Sequence, residues 1–163
     1  MILSQVKLRE LLHYDPETGV WTWLNPLPRS RVKPGDIAGR IMDNGRRQIR
    51  IASGFYYSSR LAWLYMTSEW PINQVDHENR NRSDDRWENL REATQSQNSF
   101  NRDWCEGNGS LRGLQPHGNK WRVDIGGMYL GLFEDVRDAE AIRDLALWYR
   151  AGRFATLAKG GSV

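Results

Sequence analysis

The chain has 163 residues, enough for one domain of ordinary size or two small ones. With 39% hydrophobic and 26% charged residues, its composition is that of a folded protein and not a disordered one. A single cysteine, Cys105, excludes a disulfide framework and any structural zinc site built on paired cysteines. No apolar run approaches membrane-spanning length, and the N-terminus lacks an export signal, so we expect a cytoplasmic protein that does not contact a membrane.

The net charge of +3 is unevenly distributed along the chain. Between positions 29 and 60 only Asp36 and Asp43 are acidic, whereas the basic residues there are Arg29, Arg31, Lys33, Arg40, Arg46, Arg47, Arg50 and Arg60. Guanidinium groups pair bidentately with phosphate oxygens, so such a cluster favours nucleic-acid binding. A solvated basic face is the simpler alternative.

The first half of the chain predicts a helix over residues 4–14, capped by Ser4 and ended by a turn at 15–19. Strands are expected at 20–24 and 55–57, and a β-hairpin at 38–51 whose tight turn contains Asn44 and Gly45. Ile49 and Ile51 alternate with polar residues, which indicates one apolar and one basic face. An apolar helix at 61–66 follows, and a short helix is expected to begin near Gln95.

A polar stretch at 103–110 predicts a linker, and the pattern changes after it. Three short strands are expected at 111–117, 120–125 and 128–133, separated by glycine-containing turns. Asp135 then caps a helix that runs to Arg150 and is stopped by Gly152. Its expected apolar stripe consists of Ala139, Ile142, Ala146 and Tyr149, with Leu145 beside it.

The segment between the two halves carries the chemistry. Asp76 and His77 are adjacent, and Asn89 and Asn98 follow within a short distance. Imidazole titrates near neutral pH, so His77 can act as a general base, and Asn89 can fix the orientation of the ring. Asp76 and Asn98 offer oxygen ligands that suit one Mg²⁺ or Mn²⁺ ion per site. Neighbouring strand residues point to opposite sides, so Asp76 and His77 can face one phosphate only from a bulge or loop.

Residues 75–98 resemble the homing-type HNH endonucleases, in the branch where the last histidine is replaced by asparagine. The resemblance extends upstream to residues 60–64, 69–71 and 11–19, the last of which is similar to the start of many phage proteins of this kind. It implies a ββα-metal fold, with His77 as base, Asp76 and Asn98 as metal ligands and Asn89 as the orienting residue. Arg60 would contact a phosphate near the cut.

Two positions depart from the family pattern. Arg80 stands where the family loop often has glycine, so either the turn differs or Arg80 touches DNA. Ser59 stands where a histidine often precedes the Arg-Leu pair, so any role of that histidine is absent.

The C-terminal pattern resembles the APETALA/ethylene-response-factor DNA-binding domain, through residues 112–114, 120–125, 129–133 and 139–141. This resemblance implies a three-stranded sheet in the major groove with a helix packed behind it. The candidate base-reading residues are Arg112, Lys120, Trp121, Arg122 and Tyr129. Trp121 and Tyr129 could instead be core residues of a small sheet.

Together these patterns predict an α+β protein with three parts. We expect an HNH domain at 1–102, whose ββα-metal core covers about 58–102, a linker at 103–110, and an APETALA-like domain at 111–158. The expected function is metal-dependent hydrolysis of a phosphodiester in double-stranded DNA. Further DNA contacts are expected from the following arginines: Arg46, Arg47, Arg50, Arg80, Arg82 and Arg86.

Three points stay open at the level of sequence. A monomer, which is slightly favoured, would nick one strand, whereas a dimer could cut both. The chain could also be a sequence-specific DNA-binding protein that does not cut. A protein that binds or cuts RNA is a third alternative, although a sheet built for the B-form major groove fits A-form RNA poorly.

Overall fold

A computed structural model describes residues 3–28, 31–100 and 113–155, with only the backbone described at Ser99, Phe100 and Arg153. The chain divides into two compact units, residues 1–95 and 96–163. The predicted linker at 103–110 lies outside the described residues, as do Arg29, Arg112 and residues 156–158. Among the described residues, no helix is both long and apolar enough to cross a membrane.

The fold is mixed α+β, with four α-helices and several small antiparallel sheets in the described part of the chain. In chain order the elements are α1 (Gln5–Leu11), β1 (Leu12–Tyr14), β2 (Trp21–Trp23), β3 (Arg40–Ile41), β4 (Arg47–Ile51), β5 (Gly54–Tyr57), α2 (Ser58–Thr67), β6 (Gln74–His77), β7 (Leu90–Ala93), α3 (Gln95–Phe100), β8 (Leu114–His117), β9 (Lys120–Ile125), β10 (Met128–Phe133) and α4 (Val136–Ala151).

The first helix is shorter than predicted. Ser4 caps α1 as expected, because its side chain accepts a hydrogen bond from the Lys7 amide. The helix ends at Leu11, however, and the next three residues form β1, which pairs with β2 in an antiparallel hairpin. Pairing places Leu12 opposite Trp23 and Tyr14 opposite Trp21, so Leu12 and Tyr14 are buried in a strand where a helix was expected.

The predicted basic hairpin is confirmed, and the strand expected at 55–57 joins it as the third strand of the sheet. β3, β4 and β5 form an antiparallel sheet in that order, with Gly45 at positive φ in the turn between β3 and β4. Ile49 and Ile51 are buried and Arg50 is exposed, as the alternation indicated. The buried face packs against a core to which α1, α2, β1, β2, β6 and β7 also contribute.

The second unit has a separate core. The described strands β8, β9 and β10 form one antiparallel sheet with β9 in the centre, and α4 packs against it. Asp135 caps α4 by accepting a hydrogen bond from the Arg137 amide, and Gly152 ends the helix. These strands, turns and caps confirm the sequence-based prediction for the described residues.

The predicted apolar stripe of α4 is partly wrong. Ala139, Arg143 and Leu147 are the buried residues of the helix, at a spacing of four. Tyr149 is 86% exposed and Leu145 is 62% exposed, although both were assigned to the apolar side. The buried side of α4 is the line of Ala139, Arg143 and Leu147. Packing against the sheet decides which side of an amphipathic helix is buried.

Candidate active site

Asp76 and His77 are the last two residues of β6. The pairing with β7 is regular and places Asp76 opposite Arg91 and His77 opposite Leu90. This pairing contains no bulge, so the side chains of Asp76 and His77 leave opposite faces of the strand. Within the strand itself the two side chains therefore do not face one phosphate. His77 is at the end of the strand, where its carbonyl accepts a hydrogen bond from the Arg80 amide at 3.0 Å.

A buried carboxylate contacts the imidazole of His77. Nε2 of His77 lies 2.9 Å from Oδ1 of Asp85, and both side chains are almost fully buried. The second oxygen of Asp85 accepts a short hydrogen bond from the hydroxyl of Ser58, the first residue of α2. The backbone carbonyl of Asp85 accepts a hydrogen bond of 2.6 Å from the hydroxyl of Tyr14.

The hydroxyl of Tyr14 is a permanent donor in this network. Burial first, and the negative charge of Asp85 second, raise the pKa of Tyr14 above its usual range. The phenol therefore stays protonated across the physiological range and continues to donate to Asp85.

Asp76 belongs to a separate buried ion pair. Nε of Arg91 lies 3.1 Å from Oδ2 of Asp76, and Nη2 of Arg91 lies at the same distance from that oxygen. Nη1 of Arg91 lies 3.6 Å from the more exposed carboxylate of Glu78. Because the Arg91 side chain is only 3% exposed, the guanidinium fixes the orientation of the Asp76 carboxylate.

Asn89 organises the loop that connects β6 to β7. Its side-chain oxygen accepts a hydrogen bond from the Asn79 amide at 2.9 Å, and its Nδ2 donates to the Asp84 carbonyl at 2.7 Å. The carbonyl of Asn89 accepts from the Glu78 amide at 2.9 Å. Asn89 thus fixes the backbone of Glu78, the residue that follows His77. Through that backbone it can position the imidazole.

Arg80 occupies the loop position where glycine was noted as the common family residue. Its φ is 66°, in the left-handed region that glycine adopts without strain. The turn therefore forms with arginine at this position, and the exposed side chain leaves a cation beside the loop.

Two arginines from distant parts of the sequence meet near this loop. Arg82 lies against the β3–β4 turn, where its Nη1 is 3.5 Å from the Asn44 carbonyl. Arg46 is stacked over the ring of Tyr57, with its guanidinium carbon 5.4 Å from the ring centroid. Burial, and then repulsion by Arg82, lower the pKa of Arg46. The charges of Asp85 and Asp76 act on the same guanidinium in the opposite direction.

Other predicted contact residues have partners within the protein. Arg60 donates to the carbonyls of Asn73 and Pro71, so it holds the connection between α2 and β6. Arg47 donates to the Ala38 carbonyl, and Arg50 lies over Phe55. Their contacts with phosphate stay predictions.

Arg86 is paired with two acidic side chains. It donates to the carboxylate of Asp84 through Nε and Nη2, both at 2.9 Å, and to Glu88 through Nη1. The hydrogen bonds from Arg86 are the main reason that the pKa of Asp84 is lowered to about 2. A phosphate would therefore have to compete with two carboxylates for Arg86.

The described residues contain no group of three or more His, Cys, Asp or Glu side chains that could hold a metal ion. Asn98 lies on α3, which directly follows β7 along the chain. The carboxylate of Asp76 and the amide of Asn98 are oxygen donors of the kind that Mg²⁺ or Mn²⁺ prefers, and their coordination of one ion stays a prediction.

In the second unit the predicted base-reading residues separate into two groups. Trp121 packs against the core, whereas Arg122 and Tyr129 line an open pocket on the sheet together with His117 and Leu132. The guanidinium carbon of Arg122 lies 5.3 Å from the ring centroid of Tyr129. Lys120 is exposed and paired with Glu134, and Arg112 lies outside the described residues.

Sequence reasoning missed Ser58, Tyr14 and above all Asp85. Asp85 follows Asp84 in a polar loop, and a single sequence contains no signal that distinguishes the buried carboxylate from its neighbour. The contacts of Asp85 with Ser58 and Tyr14 join residues 27 and 71 positions apart, which no local pattern encodes.

A comparison with known families supports a nuclease. Residues 56–100 match the family model described as HNH endonuclease, and the match contains Asp76, His77, Asn89 and Asn98. No curated protein and no solved structure matches the chain. The central segment, from the end of β5 through α3, is therefore similar to HNH endonucleases, and this similarity supports a nuclease that acts on DNA.

Proposed function

We propose that the protein is a metal-dependent endonuclease of the homing type that hydrolyses a phosphodiester bond in double-stranded DNA. The observation that carries the proposal is the position of His77. It lies inside the HNH-matched segment, at the end of a strand, with a buried carboxylate on its imidazole. An imidazole whose orientation is fixed in this way can act as a general base toward water.

In this proposal His77 is the general base, a role that typically contributes about 10²–10⁴-fold to the rate. Asn89 is the orienting residue, and it acts through the loop that it ties to the end of β6. Arg60 supports the α2–β6 connection and is the candidate for a phosphate contact near the cut.

Asp76 and Asn98 would hold one Mg²⁺ or Mn²⁺ ion. When bound, such an ion neutralises charge on the scissile phosphate and on the leaving oxygen. The contribution of the protein is a carboxylate whose direction is fixed by Arg91 before DNA arrives.

Arg46 and Arg82 are the candidates for gripping the phosphate at the cut. They are close enough for repulsion to lower the pKa of Arg46, and an anion between them would relieve that repulsion. The charges of Asp85 and Asp76 also act on Arg46 and partly offset the lowering of its pKa. Contacts with the DNA backbone further from the cut would come from Arg47, Arg50, Arg80 and Arg86.

The second unit would add recognition of the site. Arg122 and Tyr129 occupy the solvent-facing side of an antiparallel sheet, and a sheet of this size fits the major groove, where bases are distinguishable. Lys120 and Arg112 remain candidates for contacts with the backbone or bases. We infer that a monomer nicks one strand and that a dimer would cut both.

The test compares plasmid nicking by the wild-type protein and by His77→Ala, with Mg²⁺ and with EDTA. His13→Ala is the matched control, because His13 is an exposed histidine on β1. We expect His77→Ala to lose nicking at least about 100-fold, with DNA affinity retained and His13→Ala unchanged.

Two results would contradict the proposal. If His77→Ala nicked at the wild-type rate, His77 would not be the base. If the wild-type protein bound DNA but did not cut it in Mg²⁺ or Mn²⁺, the protein would instead be a DNA-binding protein.

A further inference from the structure

We propose that Asp85 is a positioning residue for His77, which selects the ring nitrogen that accepts the proton from water. This inference rests on the proposed function, because it concerns the same imidazole. In this proposal Oδ1 of Asp85, which lies 2.9 Å from Nε2 of His77, is the acceptor and Nε2 is the donor. The proton-accepting lone pair is then on Nδ1.

The carboxylate of Asp85 is itself held in place. Ser58 donates to the oxygen that does not face His77, which prevents the carboxylate from rotating away. Since Ser58 is the first residue of α2, this contact joins the helix to the β6–β7 loop. Both Ser58 and Asp85 are buried, so water does not compete for these hydrogen bonds.

The backbone of Asp85 is fixed by the β1–β2 hairpin. The Tyr14 hydroxyl donates to the Asp85 carbonyl, and the Trp87 amide donates to the Pro16 carbonyl at 2.9 Å. Gly19 lies so close that a Cβ atom there would be 2.5 Å from the carbonyl carbon of Asp85. Tyr14, Pro16 and Gly19, at the end of β1 and in the β1–β2 turn, therefore pack against the loop that contains Asp85.

The arrangement has a chemical consequence for hydrolysis. As the O–H bond of the attacking water breaks, its proton goes to Nδ1 and the oxygen forms a bond to phosphorus. The bond from phosphorus to the leaving oxygen breaks, and that oxygen takes a proton from solvent. Positive charge develops on the ring during this step, and Asp85 stabilises it through the bond to Nε2.

The first measurement is independent of cleavage. The chain has three histidines, so imidazole ¹⁵N spectra under mildly alkaline conditions can be assigned with a His77→Gln variant. We expect His77 to be a single tautomer with the proton on Nε2 in the wild-type protein, and a mixture of tautomers in Asp85→Ala. A wild-type protein with the proton on Nδ1 would overturn the inference, whether or not the protein cuts DNA.

The second measurement is kinetic and compares Asp85→Asn with Asp84→Asn. Asparagine keeps the size of the side chain, so Asp85→Asn is the variant to use if Asp85→Ala does not fold. The control, Asp84, is the adjacent carboxylate, whose partners are Arg86 and Asn79.

We expect Asp85→Asn to lower kcat for Mg²⁺-dependent nicking about 10- to 100-fold, with KM and thermal stability close to those of Asp84→Asn. A wild-type kcat in Asp85→Asn would overturn the inference while leaving His77 as the base. Loss of activity in both variants, with matching losses of stability, would also overturn it, because the effect would then be structural.

Discussion

The two units of the protein use polar side chains in opposite ways. In residues 3–95 the candidate catalytic groups are buried and paired before substrate arrives: His77 with Asp85, and Asp76 with Arg91. In residues 113–155 the candidate recognition residues Arg122 and Tyr129 are at the surface, with Tyr129 56% exposed and Arg122 in a partly exposed pair with Asp124.

This difference has a physical reason. A group that moves a proton must be held within a fraction of an ångström, and only burial with complete hydrogen bonding provides that. A side chain that reads DNA gains from remaining hydrated and adjustable until binding. We therefore expect changes in the first unit to affect stability and kcat, and changes in the second to affect affinity and its dependence on salt.

The largest effect is expected for Arg91→Met, which leaves the buried carboxylate of Asp76 without its cation. Removing one partner of a buried pair costs about 3–5 kcal/mol, so urea denaturation should show a loss of this size. The double variant Arg91→Met with Asp76→Leu should regain much of the stability, because no unpaired charge remains. A loss below about 1 kcal/mol would mean that the pair behaves as a surface pair.

Gly19→Ala should be the next most damaging change. Gly19 has φ +71° and faces the backbone of Asp85, so an added Cβ would both strain the turn and displace the peptide. We expect a loss of about 2–4 kcal/mol together with a fall in kcat. The control is Gly118→Ala in the second unit, because φ there is +61° but nothing lies within 4 Å of the added atom. Equal losses of stability in Gly19→Ala and Gly118→Ala would show that the contact with the Asp85 backbone does not contribute to the effect.

Arg122→Ala should weaken DNA binding without changing the fold. Losing one contact to base or phosphate costs about 1–3 kcal/mol of binding free energy, and losing a phosphate contact lowers the salt slope by about 1. Thermal stability and kcat at saturating DNA should be unchanged. Met128→Ala is a useful control, since Met128 is as exposed as Tyr129. Equal affinity in the wild-type protein and Arg122→Ala would exclude this face of the sheet from DNA binding.

The smallest effect concerns the acid stability of the loop. The pKa of Asp84 is lowered in the folded state to about 2, chiefly by hydrogen bonds from Arg86. A depressed carboxyl pKa contributes stability that is present above the unfolded value of about 3.9 and is lost as the pH falls through the folded value. Denaturation between about pH 4 and pH 2 should therefore be less steep in Asp84→Asn than in the wild-type protein. An identical slope would mean that the pair with Arg86 persists in the unfolded chain.

The sequence predicted the features that depend on short-range rules. The β3–β4 turn follows from Asn44-Gly45, the cap of α4 from Asp135, and the HNH resemblance from a continuous segment that the family model confirms over residues 56–100. In each case the residues that decide the structure are neighbours in the chain, so a pattern reveals them.

Contacts between distant residues decided the rest. The end of α1 at Leu11 depends on pairing with β2, and the buried side of α4 depends on the sheet beneath it. The contact between His77 and Asp85 depends on Ser58, Tyr14 and Gly19, which are near the loop because α2 and the β1–β2 hairpin pack against it. The sequence thus determined which residue types were present for the chemistry. Tertiary packing decided which carboxylate contacts the imidazole of His77, because burial and hydrogen-bond geometry arise only when separate elements meet.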